Sequence, residues 1–295
     1  MKKVLKWVGM ILGGILGLIL VILVITNLIS RSRTRKIYTF ETQPVSIPED
    51  SAAIREGQKW VQVNCTECHG EDLSGGVVFS EPPIGHIEGP NLTRGEGGIG
   101  GTYSDEDWVR AIRHGVGPDG KPLLVMPSKA YYHYSDEDLG EIIAYLKSVP
   151  PVDQAQTDPR ITPLGHALMV MGVFGDALSA ETIDHTNSRP PAPGSSISPE
   201  YGEYLVEVTD CKTCHGGNLT GSSSPDPDAP PAPDITSSGN VGGWSPEEFI
   251  STLRTGTTPE NAVLSKYMPW KGYRHLSDVE LQAIYQYLTS PPDEE

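Results

Sequence analysis

Two short stretches hold the chemistry-bearing side chains of this 295-residue chain. Residues 63–76, VNCTECHGEDLSGG, bring Cys65, Cys68 and His69 together, and residues 209–221, TDCKTCHGGNLTG, do the same with Cys211, Cys214 and His215. No other cysteine occurs. Thiols three residues apart sit one helical turn apart on one face. Three chemistries use that spacing. A dithiol redox pair needs a strand–helix–strand setting, which the flanking residues do not supply. A zinc site draws four Cys or His ligands from neighbouring pairs, and each stretch offers one pair. Covalent haem attachment uses every residue of the motif. The thiols reach the two vinyl groups as thioethers, and the histidine directly after the second cysteine reaches the iron as proximal ligand. The duplication therefore predicts two covalent haem c groups, with His69 and His215 on the irons.

The elements that must position these motifs repeat with them. YSDEDWVRAIRHG (103–115) aligns with WSPEEFISTLRTG (244–256), and MPSKAYYHYSDEDLGEIIAYLKSVP (126–150) with MPWKGYRHLSDVELQAIYQYLTSPP (268–292). GPNLT (89–93) matches APDIT (232–236). Two homologous modules follow, 54–151 and 197–295, each of a size for one small domain. Four serines each precede an acid by three residues: Ser104/Asp107, Ser135/Asp138, Ser245/Glu248 and Ser277/Glu280. This pattern predicts four capped helix starts. Leu139, Ile142, Ile143 and Leu146, then Leu281, Ile284, Tyr285 and Leu288, fall on helical stripes behind two of them. No stretch alternates with period two for long, so the modules read as all-α. Residues 152–196 are proline-rich at both ends and read as a linker, with one short helix within HALMVMGVFGDAL (166–178). Residues 37–53 read as a shorter linker. Ahead of it, residues 1–36 form a basic-flanked segment in which Trp7–Ile25 runs nineteen residues without a charge, enough to cross a bilayer as an uncleaved anchor.

Each module resembles a class I cytochrome c domain, and the whole resembles the membrane-anchored dihaem c-type cytochromes of bacterial respiratory chains. The likeness spans both modules and leaves out the anchor and the linker centre. It implies an N-terminal transmembrane helix followed by two tandem helical domains. It also implies that Gly57 and Gly202 let the first helix of each module cross closely over an aromatic of the last helix, Tyr145 or Tyr287. Pro90 and Pro233 would offer carbonyls to the proximal imidazoles. Met126 and Met268, each followed by proline and lying 61 and 57 residues after the first cysteine of its motif, would be the sixth ligands. A thioether is a soft donor that raises the reduction potential relative to a second imidazole. His133 and His275, seven residues after each methionine, are the rival ligands; gap-filling in the core is the plain alternative for the methionines. His114 faces Thr255 in the repeat, and His86, His166 and His185 have no counterpart.

Charge and coordination bound the function. The formal charge is −16, and beyond the seven basic residues of 1–36 the remainder carries −23. Such a surface repels nucleic acid and suits redox protein partners with a basic docking face. Two protein ligands on each iron leave no position for substrate, which predicts an electron carrier between respiratory-chain partners and no enzyme. The alternative is a dihaem peroxidase-like enzyme or a haem sensor, in which one iron must open. Covalent haem is attached on the outer face of the bacterial cytoplasmic membrane, which puts Met1 inside and the modules on the periplasmic side. GEGGIG (95–100) satisfies a dinucleotide-loop pattern, but no strand leads into it.

Overall fold

The computed structural model describes all residues except 188, 190, 225–228 and 291–295. Part of the proline-rich stretch 222–233 and the end of the second module therefore lie outside the described residues. In chain order the elements are α1 (Lys2–Thr34), α2 (Ser51–Asn64), α3 (Thr66–His69), β1 (Gly76–Glu81), β2 (Gly85–Gly89), α4 (Asp105–His114), α5 (Ser128–Tyr131), α6 (Asp136–Ser148), β3 (Arg160–Ile161), α7 (Pro163–Val170), α8 (Pro199–Val208), α9 (Cys211–His215), α10 (Pro246–Thr255), α11 (Trp270–Tyr273) and α12 (Asp278–Thr289). The fold is mostly helical, and α2–α6 and α8–α12 repeat one design.

The caps set the helix starts. Ser104, Ser245 and Ser277 each accept from the backbone N–H three residues on, while the acid there reaches back to close the box. Ser135 also accepts from Asp138 N, but its own N–H bonds the Tyr204 hydroxyl of the second module at 3.1 Å. The fourth box is thus opened by an inter-module contact. Within each module the first helix crosses the last at a glycine. A methyl on Gly57 would lie 1.9 Å from the Glu141 carbonyl, and one on Gly202 would lie 2.0 Å from the Ala283 carbonyl and 2.7 Å from Tyr287 Cβ. The aromatic stands at the crossing in the second module. In the first, the crossing falls on the Glu141–Ile142 backbone.

A three-stranded antiparallel sheet departs from the all-helical reading. Gly76 pairs with Gly89 and Glu81 with Gly85, and the linker adds β3 against Gly85 and His86. Strand β1 is six residues long and a register shift between Val77 and Phe79 breaks its alternation. A lone hairpin of this length is marginal. Its third strand comes from far along the chain, so no local pattern announces it.

The residues read as linker lie along the first module. Val152 O accepts from Asn91 Nδ2 at 2.8 Å, Gln156 Oε1 from Asn91 N at 2.9 Å, and Glu96 O from Gln154 N at 3.0 Å. The expected short helix is α7, which starts three residues ahead of HALMVMGVFGDAL and ends at Val170. It docks on the end of α1: Ser30 is fully buried, with Oγ 2.8 Å from His166 Nδ1 and 3.2 Å from Met169 Sδ. Arg33 adds a two-pronged bond to Glu181, its Nε lying 3.0 Å from Oε1. Helix α1 is the one described helix long and apolar enough to cross a membrane, with a mean hydropathy of 3.0 in its most apolar window.

The two modules share one core, in which Trp60, Val61, Leu139 and Ile143 continue into Leu205, Val206, Leu281 and Ile284. Contacts between modules are reciprocal: α11 packs on α2, and α5 packs on α8. This is the self-complementary logic of a two-fold interface built within one chain. Polar links seal it. Lys59 Nζ lies 2.6 Å from Glu280 Oε1, whose side chain is 3 % exposed. Asn64 Nδ2 donates to Val208 O at 3.0 Å.

Candidate functional site

Each cysteine pair follows directly on the first helix of its module. Helix α2 ends at Asn64 and α3 carries Cys68 and His69; α8 ends at Val208 and α9 carries Cys211 through His215. All four thiols are free. Burial pushes the Cys65 thiol up to about 12, with Cys68 adding to it, and burial pushes Cys211 up to about 11. Cys68 and Cys214 are raised too, chiefly by burial. A redox dithiol calls for the opposite shift. Among the described residues no three His, Cys, Asp or Glu side chains converge to hold a metal. Buried, raised thiols thus disfavour a redox pair, while each motif offers fewer donors than the four a structural zinc site takes.

The histidines are held alike. His69 Nδ1–H donates to the Pro90 carbonyl at 2.9 Å, and His215 Nδ1–H to the Pro233 carbonyl at 2.8 Å. A carbonyl oxygen can only accept, so Nδ1 carries the proton in each bond and the tautomer follows. Nε2 is then the nitrogen with a lone pair to offer. This is the second-contact pattern that orients an imidazole and raises its basicity as a ligand. Burial lowers the His69 pKa and the Pro90 bond opposes it, so the ring is neutral at neutral pH. The backbone after each histidine is a matched loop. Gly75 N–H bonds the His69 carbonyl and Gly221 N–H the His215 carbonyl, both at 2.8 Å. Leu73 and Leu219, both buried, sit at φ 61° and 62° inside these loops. A leucine there costs about 1 kcal/mol or more and persists because the surroundings impose it.

Met126 and Met268 are both half-buried against the shared core, as are Cys65 and Cys211. The rival His133 lies at the module interface, its Nε2 3.8 Å from Glu207 Oε2 on α8. His275 is half-buried, one residue after Arg274 at the end of α11. The unmatched histidines all have other partners. His86 bonds Ser80 and Glu88 within the hairpin, His166 bonds Ser30, and His114 and His185 lie 3.1 Å apart between their Nδ1 atoms.

Sequence reading passed over the tyrosines that lock these loops. Tyr131 donates its hydroxyl to Asn64 O at 2.8 Å and Tyr273 to Thr209 O at 3.0 Å. Each thereby ties the short helix after a Met-Pro pair to the residues just before a Cys motif. The signal was present: both tyrosines fall five residues after the methionine. The donor set fits covalent haem. It has two unpaired thiols per module, one imidazole with its lone-pair nitrogen free, and a buried indole N–H on Trp108 without a protein acceptor, which an acidic edge of such a group would satisfy.

The family model described as cytochrome c oxidase, cbb3-type, subunit III matches residues 52–146 and again 198–288. Among similar proteins, the cytochrome c subunit of alcohol dehydrogenase (quinone) from Gluconobacter oxydans (strain 621H) is 30% identical over 82% of this chain and 55% of its own length. The cytochrome c subunit of gluconate 2-dehydrogenase from Pantoea cypripedii is 30% identical over 82% of this chain and 60% of its own. A diheme cytochrome c-type protein of Cereibacter sphaeroides is 28% identical over 77% of this chain and 82% of its own. The chain spans little more than half the length of the first relatives it matches.

Proposed function

The chain belongs to the cytochrome c oxidase, cbb3-type, subunit III family of c-type cytochrome domains, and from that premise we propose that it relays single electrons through two covalent haem c groups, one in each module. It is an electron-transfer protein rather than a catalyst of bond chemistry. In this reading Cys65 and Cys68, and Cys211 and Cys214, carry the thioethers. His69 and His215 are the proximal ligands, Pro90 and Pro233 orient them, and Met126 and Met268 complete each iron. Bound haem supplies a one-electron couple; the protein holds the imidazole tautomer and sets Cys65, Met126, Cys211 and Met268 against the shared core. The observation that carries the reading is the imidazole-to-proline bond, present in both modules at nearly equal length.

Helix α1 is a membrane anchor through residues 7–25, and we place Met1 on the cytoplasmic side and both modules outside. The relatives named as cytochrome subunits of dehydrogenases support a protein redox partner, and the acidic exterior favours one with a basic face. One experiment addresses side and stoichiometry together. Protease added to cells stripped of their outer membrane should release a fragment whose denatured mass exceeds its polypeptide by two haems. A protected fragment would reverse the topology, and an excess of one haem would leave one module empty.

A further inference from the structure

The two Met-Pro loops match in sequence and differ in surroundings. In the first module, residues 177–184 run across the loop. Val125, at φ 62°, donates its N–H to Ala177 O at 2.9 Å. The Met126 carbonyl accepts from Ser179 Oγ at 3.0 Å, and Ser179 is buried. Leu124 packs against Ala177, Leu178 and Met169. Beyond the methionine, the Tyr132 hydroxyl donates to Asp184 O at 2.6 Å. The segment thus grips the loop before, at and after Met126. In the second module the loop is open. Tyr267 N–H turns back to Ser265 Oγ. The Met268 carbonyl takes the N–H of Trp270 at 2.9 Å, as Met126 takes that of Ser128 at 2.8 Å, but among the described residues it accepts nothing corresponding to the Ser179 hydroxyl. Tyr267 is 39% exposed and Val263 79%. Among the described residues the hydrogen bonds of residues 262–268 stay within 256–270. The sequence carries the difference, since Leu124-Val125 precede one methionine and Lys266-Tyr267 the other.

We infer that residues 177–184 form a strap that holds the Met126 loop closed, with Ser179 as its positioning residue, so that a small neutral nitrogen ligand displaces Met268 well before Met126. The inference rests on reading Met126 and Met268 as sixth ligands. Displacing a methionine requires its loop to swing away. At Met268 that swing moves an exposed turn. At Met126 it also breaks the two strap bonds made by Val125 and Met126 themselves, leaving the Tyr132 bond beyond the swing, and uncovers Leu124 and Leu178. Each neutral hydrogen bond is worth about fivefold in an equilibrium, so two separate the sites by about 25-fold. The consequence is an electron carrier with one sealed and one openable iron, built from nearly identical motifs.

Imidazole titration of the oxidised holoprotein tests this, following the near-infrared band that reports sulfur bound to ferric iron. Half of the band should vanish at low imidazole and the other half only at about 25-fold more. Met268→Ala should leave the resistant half alone, and Ser179→Ala should move that half about fivefold toward the labile one. Halves that vanish together, or a labile half that Met126→Ala removes, would overturn the strap while leaving methionine ligation standing. A wild-type spectrum without the band would remove the ligand reading and the strap with it.

Discussion

At the residue scale, function rests on how each side chain's second contact is arranged. The proposed roles of the cysteines and histidines come from spacing alone, because covalent attachment would demand adjacent turns and an immediately following imidazole. The prolines and methionines entered by family resemblance. The tyrosines of α5 and α11 were legible only as a repeat, since a buried hydroxyl aimed at a distant carbonyl leaves no periodic trace. One residue carries a pH signature that no motif announces. Glu141 on α6 is half-buried, and burial first, then Asp138, Glu56 and Glu137, push its carboxyl up to about 7. The folded protein therefore keeps a proton that the unfolded chain releases near its ordinary value of about 4.3. The unfolded state binds fewer protons between those values, so stability falls as pH rises from about 4.3 to 7 and is flat with respect to this group below that window. The thermal midpoint of Glu141→Gln should decline less than wild type across this interval. Parallel curves would mean that Glu141 titrates as an ordinary exposed acid.

At the element scale, the helices were the most legible part. Serine caps with acids three residues on named four starts, and all four serines accept the expected backbone bond. Helix α8 was less plain, because Ser198 caps it with Tyr201 in the third position and no acid closes the box. The docking of residues 152–184 stayed hidden, since the partners lie some 50 to 80 positions away and local composition resembles a linker, and the hairpin stayed hidden because a register shift breaks its alternation. The α2–α6 and α8–α12 crossings hold the helices on which each Cys motif directly follows. Gly57→Ala and Gly202→Ala should each cost roughly 3 kcal/mol, because backbone, not a movable side chain, occupies the space a methyl needs. Gly194→Ala, where nothing lies within 4 Å, should leave the midpoint in place. Calorimetry of the three variants checks this, and wild-type midpoints for the first two would show crossings loose enough to absorb a methyl.

At the scale of the whole molecule, two repeats behave as one body. The polar links of the interface, Tyr204 to Asp138 and Ser135, Lys59 to Glu280, and Asn64 to Val208, involve residues that look like ordinary helix surface in the sequence, so the joint core could not be read from it. Outside the anchor segment the chain carries −23, a field strong enough to steer encounter with a basic partner. The transfer rate to that partner should fall as salt rises from about 10 to 200 mM, where screening shortens from roughly 30 Å to below 10 Å. Stopped-flow measurement decides it, and a rate indifferent to salt would leave the acidity as a device for solubility. The docking of α1 on α7 bears on the same encounter. The nine residues from Thr26 to Thr34 continue the anchor as helix for roughly 13 Å at 1.5 Å per residue, and Ser30 and Arg33 fasten that stretch to His166, Met169 and Glu181. Such a mast has no joint. With α1 spanning the bilayer as proposed, the head it carries would stay near one height above the lipid and turn about the mast's own axis, so a partner would have to arrive at that level, gliding alongside in the plane of the bilayer.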